Sequence, residues 1–197
     1  MPPSGRLLLA TRNPHKLREF TRLLAPASIV LEPLPEWVSL PPEEGETFAA
    51  NALPKARAAA AALGRAAIAD DSGIEADALG GRPGVRSARF AGERANDEQN
   101  LAKLLELAAP GSGLRYVCAL AYVDPHAKVE RVFFGECRGT LAAAPRGGRG
   151  FGYDPVFLPV GEPRGRTMAE LEDEEKDAIS HRGQAARALL TFLRGDR

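Results

Sequence analysis

The sequence predicts an α/β protein, and three observations carry that prediction. Short apolar runs, "RLLLA" (6–10), "SIVLEPL" (28–34) and "AAIAD" (66–70), alternate with longer segments whose apolar residues recur at helical spacing. Further along, the β-rich stretches "RYVCALAYV" and "KVERVFFGECRGTL" flank "DPHA", a hairpin signal. The polar motifs, finally, fall where strands end, which is where open sheets build sites.

Each element has its own local reason. After the first run, "TRNPHK" leads into Leu17, Phe20, Leu23 and Leu24, giving strand, loop, helix. "SIVLEPL" reads as the second strand. "TFAANALPKARAAAAALG" is alanine-rich and stops at Gly64, as a helix does. Pro54 disturbs it, because an interior proline removes a hydrogen bond and clashes one turn back at roughly 3 kcal/mol. Either a kink or a helix that effectively starts at Pro54 is expected. "AAIAD" is the third strand, and a Gly/Arg/Pro loop is expected from there to about Gly92. In "ANDEQNLAKLLELA", Asn96 or Asp97 caps a helix bearing Leu101, Leu104 and Leu105. The hairpin strands should pair antiparallel. "PRGGRGFGYDPVFLP" is a glycine-rich loop entering an apolar segment, and two helices divided at "SHRG" fill the chain from Thr167 onward.

No repeat, low-complexity tract or linker composition interrupts the 197 residues, so 1–197 reads as a single domain or two tightly joined lobes. Acidic and basic residues number 26 each. A balanced chain has no global field for nucleic acid or an anionic membrane, so neither is expected as a partner and any charge chemistry is local. Cys118 and Cys137 lack metal-ligand spacing and should be buried and reduced. The N-terminal apolar run is too short for a signal peptide and no 18-residue apolar stretch occurs, so a cytoplasmic location is expected.

The chemistry gathers in five stretches. Asp70 and Asp71 follow an apolar strand, where at least one carboxylate should lie at the mouth of the sheet and desolvation makes an unpaired charge costly. Magnesium, which takes oxygen ligands and couples one or two carboxylates to substrate phosphates, would relieve that cost; a solvated pair capping the next turn is the alternative. Glu43, Glu44 and Glu46 precede a helix and either extend this acidic site or serve the helix dipole. "TRNPHK" offers helix N-terminal N–H groups and Lys16 to an anion, without the glycines of a Walker loop, or is an ordinary strand-to-helix turn. In "GRGFGYDP", Phe151 or Tyr153 either stacks on a base or packs in the core. Lys176, His181 and Arg182 surround a helix start at Ser180, an N-cap residue, and are either surface residues or base-edge donors. Together these make a nucleotide-handling inventory of carboxylates, lysines, aromatics and ring-edge donors.

In order and spacing the motifs resemble the Ham1-like inosine/xanthosine triphosphate pyrophosphatase family, from "LLLATRNPHK" through "EEGETFAANALPKA", "IADDSGIEADALGGRPGVRSARFAG" and "GGRGFGYDPVF" to "EKDAISHRGQA". The resemblance implies magnesium-dependent hydrolysis of non-canonical purine nucleoside triphosphates (ITP, dITP, XTP) to the monophosphate and pyrophosphate. It implies an elongated, two-lobed mixed sheet flanked by helices, with the active-site cleft between the lobes, and a homodimer. By the same resemblance Thr11, Arg12, Asn13, Pro14, His15 and Lys16 hold the triphosphate. Glu43 and Asp71 bind Mg2+, Asp71 is also the general base, and Asp70 supports them. Lys55 and Ser72 meet the phosphate or sugar end, Phe151, Gly152, Tyr153 and Asp154 frame the purine, and Lys176, His181 and Arg182 complete recognition.

The chain departs from the family pattern at Arg12, where glycine is common, at "AANA" in place of "ENA", and at Pro54 beside Lys55. Arg12 either contacts phosphate or fills the loop. Which of Asp70 and Asp71 acts as base stays open at this point. Hypoxanthine and xanthine present a 6-oxo acceptor and an N1–H donor while adenine presents the reverse, so donors at His181 and Arg182 would disfavour ATP, each mismatch costing roughly 1 to 3 kcal/mol. Two other readings fit the inventory less well. Maf-like nucleotide pyrophosphatases typically open with a Ser-Pro-Arg-Arg type loop, unlike "TRNPHK". A non-catalytic nucleotide-binding protein would show loss of a metal carboxylate, and none is missing.

Overall fold

The computed structural model describes residues 5–195. Strands β1 (Arg6–Leu9), β2 (Val30–Pro33), β3 (Ala67–Ala76), β4 (Gly113–Asp124), β5 (Val129–Leu141) and β6 (Phe157–Pro159) form an open, mixed sheet in the order β2-β1-β3-β4-β5-β6. β1 is parallel to both β2 and β3, whereas β5 and β6 are antiparallel. Parallel neighbours need crossovers. Helices α1 (Pro14–Leu24) and α2 (Phe48–Leu63) supply them, α1 packing on β2 and α2 on β1. β4 and β5 are neighbours joined by a turn over 125–128, a connection short enough only for an antiparallel return. Helices α3 (Asp97–Leu107), α4 (Asp173–Ile179) and α5 (His181–Arg194) complete the fold. Among the described residues no helix is long and apolar enough to cross a membrane.

The chain divides into two compact units. The first comprises Met1–Asp71, Cys118–Gly135 and Arg182–Arg197. Its core joins Leu7, Leu9, Phe20, Leu24, Ile68, Leu120 and Leu189. The second comprises Ser72–Val117 and Glu136–His181, with a core of Ile74, Leu104, Tyr116, Val156, Phe157 and Met168. Both cysteines are buried thiols. Burial pushes Cys118 upward and Cys137 to about 11, so both stay protonated and unreactive at neutral pH.

Two sequence expectations need correction. β3 does not stop at Asp70 but runs through Asp71 and Ser72 to Ala76, and the expected loop beyond it includes a 3₁₀ segment, Gly84–Arg89. Asp, Ser and Gly disfavour strands, and here buried charge partners override that preference. The carboxylates therefore lie within β3, not at its end. The last paired residues of β1 and β3 are Leu9 and Ile68, so the aspartates project just past the carboxyl end of β1. Of the two alternatives at Pro54, a helix starting there is the one overturned: the helix starts six residues earlier, at Phe48, where Thr47 Oγ1 accepts the Ala50 N–H at 3.1 Å, and it continues through the proline. A good cap and the buried residues Phe48, Asn51, Ala52, Lys55 and Ala56 outweigh one missing hydrogen bond.

Candidate active site

In the first unit the loop after β1 becomes a helix start. Asn13 caps α1, its Oδ1 accepting the N–H groups of His15 at 2.8 Å and Lys16 at 3.3 Å, and Pro14 occupies the first turn where a missing N–H costs nothing. Thr11 Oγ1 accepts the Asn13 N–H at 3.2 Å. The cap places Lys16 so that its Nζ lies 2.8 Å from Asp70 Oδ2. Arg182, at the start of α5, reaches the same oxygen at 3.7 Å and donates to buried Glu19 at 3.0 Å. Burial opposes ionisation of Asp70 most strongly, but the fields of Lys16, Arg182 and Lys55 together overcome it and hold the carboxyl down at about 2.

Asp71 is buried in a different setting. Asn51 Nδ2 donates to its Oδ2 at 2.9 Å. Desolvation raises its proton affinity above the ordinary carboxylate range, and the like charge of Glu43 adds to this, while Lys55 and the Asn51 hydrogen bond oppose it. Lys55 pairs with Glu43 and donates to the Asp70 carbonyl at 2.7 Å. Its burial would discharge it, but Asp70, Glu43 and Asp71 together raise its affinity for the proton. Glu44 and Glu46 are exposed, leaving Glu43 as the member of that cluster turned to the site.

Arg12 is held differently from a phosphate ligand. Its guanidinium donates to the carbonyls of Leu34, Pro35, Glu36 and Val38 at 2.8, 2.9, 3.2 and 2.7 Å, fastening the 34–38 segment beside α1. His15 faces Arg18 at 2.7 Å.

In the second unit Asp154 is the hub. Its Oδ2 accepts Lys176 Nζ at 2.6 Å and the Phe151 N–H at 3.0 Å, and its Oδ1 accepts the Tyr116 hydroxyl at 3.1 Å. The Lys176 ammonium lies 5.6 Å from the centre of the half-buried Phe151 ring. Gly152 N donates to Asp97 at 2.8 Å. The structure separates the two candidate aromatics: Tyr153 is buried in the core with its hydroxyl on the Ser87 carbonyl at 2.7 Å, so Phe151 is the ring left half open. His181 stacks on Tyr116 with centroids 4.6 Å apart and planes 9° off parallel, and Tyr116 stacks in turn on Phe157 at 4.4 Å. Ser72 is half-buried on β3, one residue past Asp71.

The geometry thus combines an anion-accepting helix start, two lysines on a carboxylate cluster and a separate aromatic-lysine loop. A family model described as the Ham1 family matches residues 7–192. The chain belongs to the Ham1 family. A relative from Frankia alni named dITP/XTP pyrophosphatase is 51% identical over 200 residues, covering 96% of this chain and 97% of its own. A Geobacillus kaustophilus protein of the same name is 48% identical, covering 93% and 91%. Among solved structures, a HAM1 protein from Coxiella burnetii superposes with a TM-score of 0.84 at 39% identity, covering 96% of this chain and 98% of that one.

Three side chains of the candidate site in this Ham1-family protein escape a reading of the sequence alone. Asn51 was legible only as part of "AANA", although it lies four residues before Lys55 and so on the same helix face. Glu19, a buried acid between apolar positions of α1, gave a hint by its placement. Tyr116 looked like any strand aromatic.

Proposed function

We propose that the chain hydrolyses non-canonical purine nucleoside triphosphates (dITP, ITP and XTP) to the monophosphate and pyrophosphate. Its Ham1 membership and relatives named dITP/XTP pyrophosphatase support this. The observation that supports the residue assignment is the contrast in partners between adjacent carboxylates: Asp70 Oδ2 lies 2.8 Å from Lys16 Nζ and 3.7 Å from the Arg182 guanidinium, whereas Asp71 Oδ2 accepts the uncharged Asn51 amide at 2.9 Å. Neighbouring acids in such different surroundings divide the work of charge and base.

Among the described residues no group of three or more His, Cys, Asp or Glu is placed to hold a metal. Magnesium does not need one, since one or two carboxylates with water and phosphate oxygens suffice. Glu43 and Asp71 offer an oxygen-only donor pair whose mutual repulsion a hard cation would relieve, so they fit. Bound there with the substrate, Mg2+ would neutralise charge on the phosphoryl oxygens. Asp71 takes a proton from a water, whose oxygen forms the new bond to the α-phosphorus; the bond from that phosphorus to the α–β bridging oxygen breaks and pyrophosphate leaves. Asn13-capped N–H groups of α1, Lys16 and Lys55 hold the triphosphate. Thr11, Pro14, His15 and Ser72 line its approach. Phe151 offers a face to the purine, with Lys176 and His181 as donors to the 6-oxo edge, so that adenine is refused. Arg182 acts through Asp70. The activity is assigned to 1–197 as a single functional domain. We place this activity in a cytoplasmic homodimer.

The test is Asp71→Asn. Turnover of dITP should fall by about 10³-fold or more while nucleotide binding, read by calorimetry, persists; a rate near that of the unmodified protein overturns the assignment.

A further inference from the structure

Asn51 is 3% exposed and its amide is fully engaged: Oδ1 accepts the Gly45 N–H at 2.7 Å, while Nδ2 donates to Asp71 Oδ2 at 2.9 Å and approaches the Gly45 carbonyl at 3.4 Å. The orientation is dictated by chemistry. An N–H can only donate, so the amide oxygen must face Gly45, and the NH2 group is thereby turned to the carboxylate. Gly45 permits this approach because it lacks a side chain: a Cβ there would lie 2.7 Å from Asn51 Oδ1 and 2.7 Å from Ala50 Cβ. One turn along the same face of α2, Lys55 joins Glu43 to the Asp70 carbonyl. Two side chains of one helix therefore fasten the 43–45 loop to residues 70–71 of β3, Lys55 through its charge and Asn51 through an uncharged amide.

We infer that Asn51 is a positioning residue that holds the Glu43-bearing loop and the Asp71 carboxylate in register, fixing the rotation of that carboxylate for cation binding and proton transfer. This rests on the assignment of Glu43 and Asp71 to the metal. Partners that orient ligating groups change metal affinity or activity by about 10- to 100-fold when removed.

The experiment uses full-length Asn51→Ala, Gly45→Ala and the double variant, each checked for folding by circular dichroism and melting. Mn2+ alone, without nucleotide, is titrated by electron paramagnetic resonance, and kcat and KM for dITP are measured separately. Both single variants should lose about 10- to 100-fold in Mn2+ affinity and in kcat, with KM changed less than about threefold. The double variant should be no worse than Asn51→Ala, because both changes break one link. A folded Asn51→Ala variant with Mn2+ affinity and kcat within about twofold of the unmodified protein overturns the inference, as do losses that multiply in the double variant. If Asn51→Ala does not fold, Gly45→Ala decides alone, and unchanged values there overturn it. An unmodified protein that cleaves dITP yet binds no Mn2+ removes the metal site itself, and this inference with it.

Discussion

Asp70 and Asp71 are neighbours in the chain, but the pleat of β3 turns their side chains to opposite faces, where they meet different partners. The difference has a stability signature. Asp70 is depressed from 3.8 to about 2, so its contribution, on the order of 2 kcal/mol, is present above pH 4 and lost as pH falls through 2. Asp71 is raised, so its ionised form burdens the folded state at neutral pH, and its stabilising effect is confined to the acid side. At pH 7, Asp70→Asn should destabilise by about 3–5 kcal/mol in urea unfolding because Lys16 and Arg182 keep buried charge with less to balance it, while Asp71→Asn should melt no lower than the unmodified protein. The opposite order would contradict the division of roles. The acidic pair itself was legible in the sequence. Its division was not, because it depends on Lys16, Asn51 and Arg182 arriving from three different helices.

At the scale of elements, strands and helices followed from apolar spacing, caps and glycine stops, and Asn96 forms the expected N-cap of α3, with Gln99 completing a capping box. The misplaced boundaries share a cause. β3 continues through Asp70–Ser72, and α2 extends past Pro54, because tertiary partners pay for residues that local preference rejects. The glycine-rich loop before β6 has a stricter requirement. Gly150 has φ +72°, and a Cβ there would meet Asp154 Oδ2 at 2.0 Å and Lys176 Nζ at 3.0 Å. Gly150→Ala should therefore disturb the Asp154–Lys176 pair and raise KM for ITP about tenfold, the equivalent of ~1.4 kcal/mol, with kcat less affected. An unchanged KM would remove this loop from purine binding.

For the whole molecule, zero net charge left local chemistry as the place to look, and the five ordered motifs span nearly the same range as the Ham1 match over 7–192. What the sequence could not yield was which groups serve as architecture: Arg12 on four carbonyls, Tyr153 on Ser87 and Tyr116 beneath His181 each have a partner far away in the chain. Cleavage between the α- and β-phosphates of 6-oxo purine nucleotides can be read from phosphate release from dITP, XTP, GTP and ATP with Mg2+, with and without added inorganic pyrophosphatase. Phosphate from dITP and XTP only when the coupling enzyme is present, and little from ATP, is the expected result; phosphate appearing without it would mean that the terminal bond is cut and would overturn α–β cleavage.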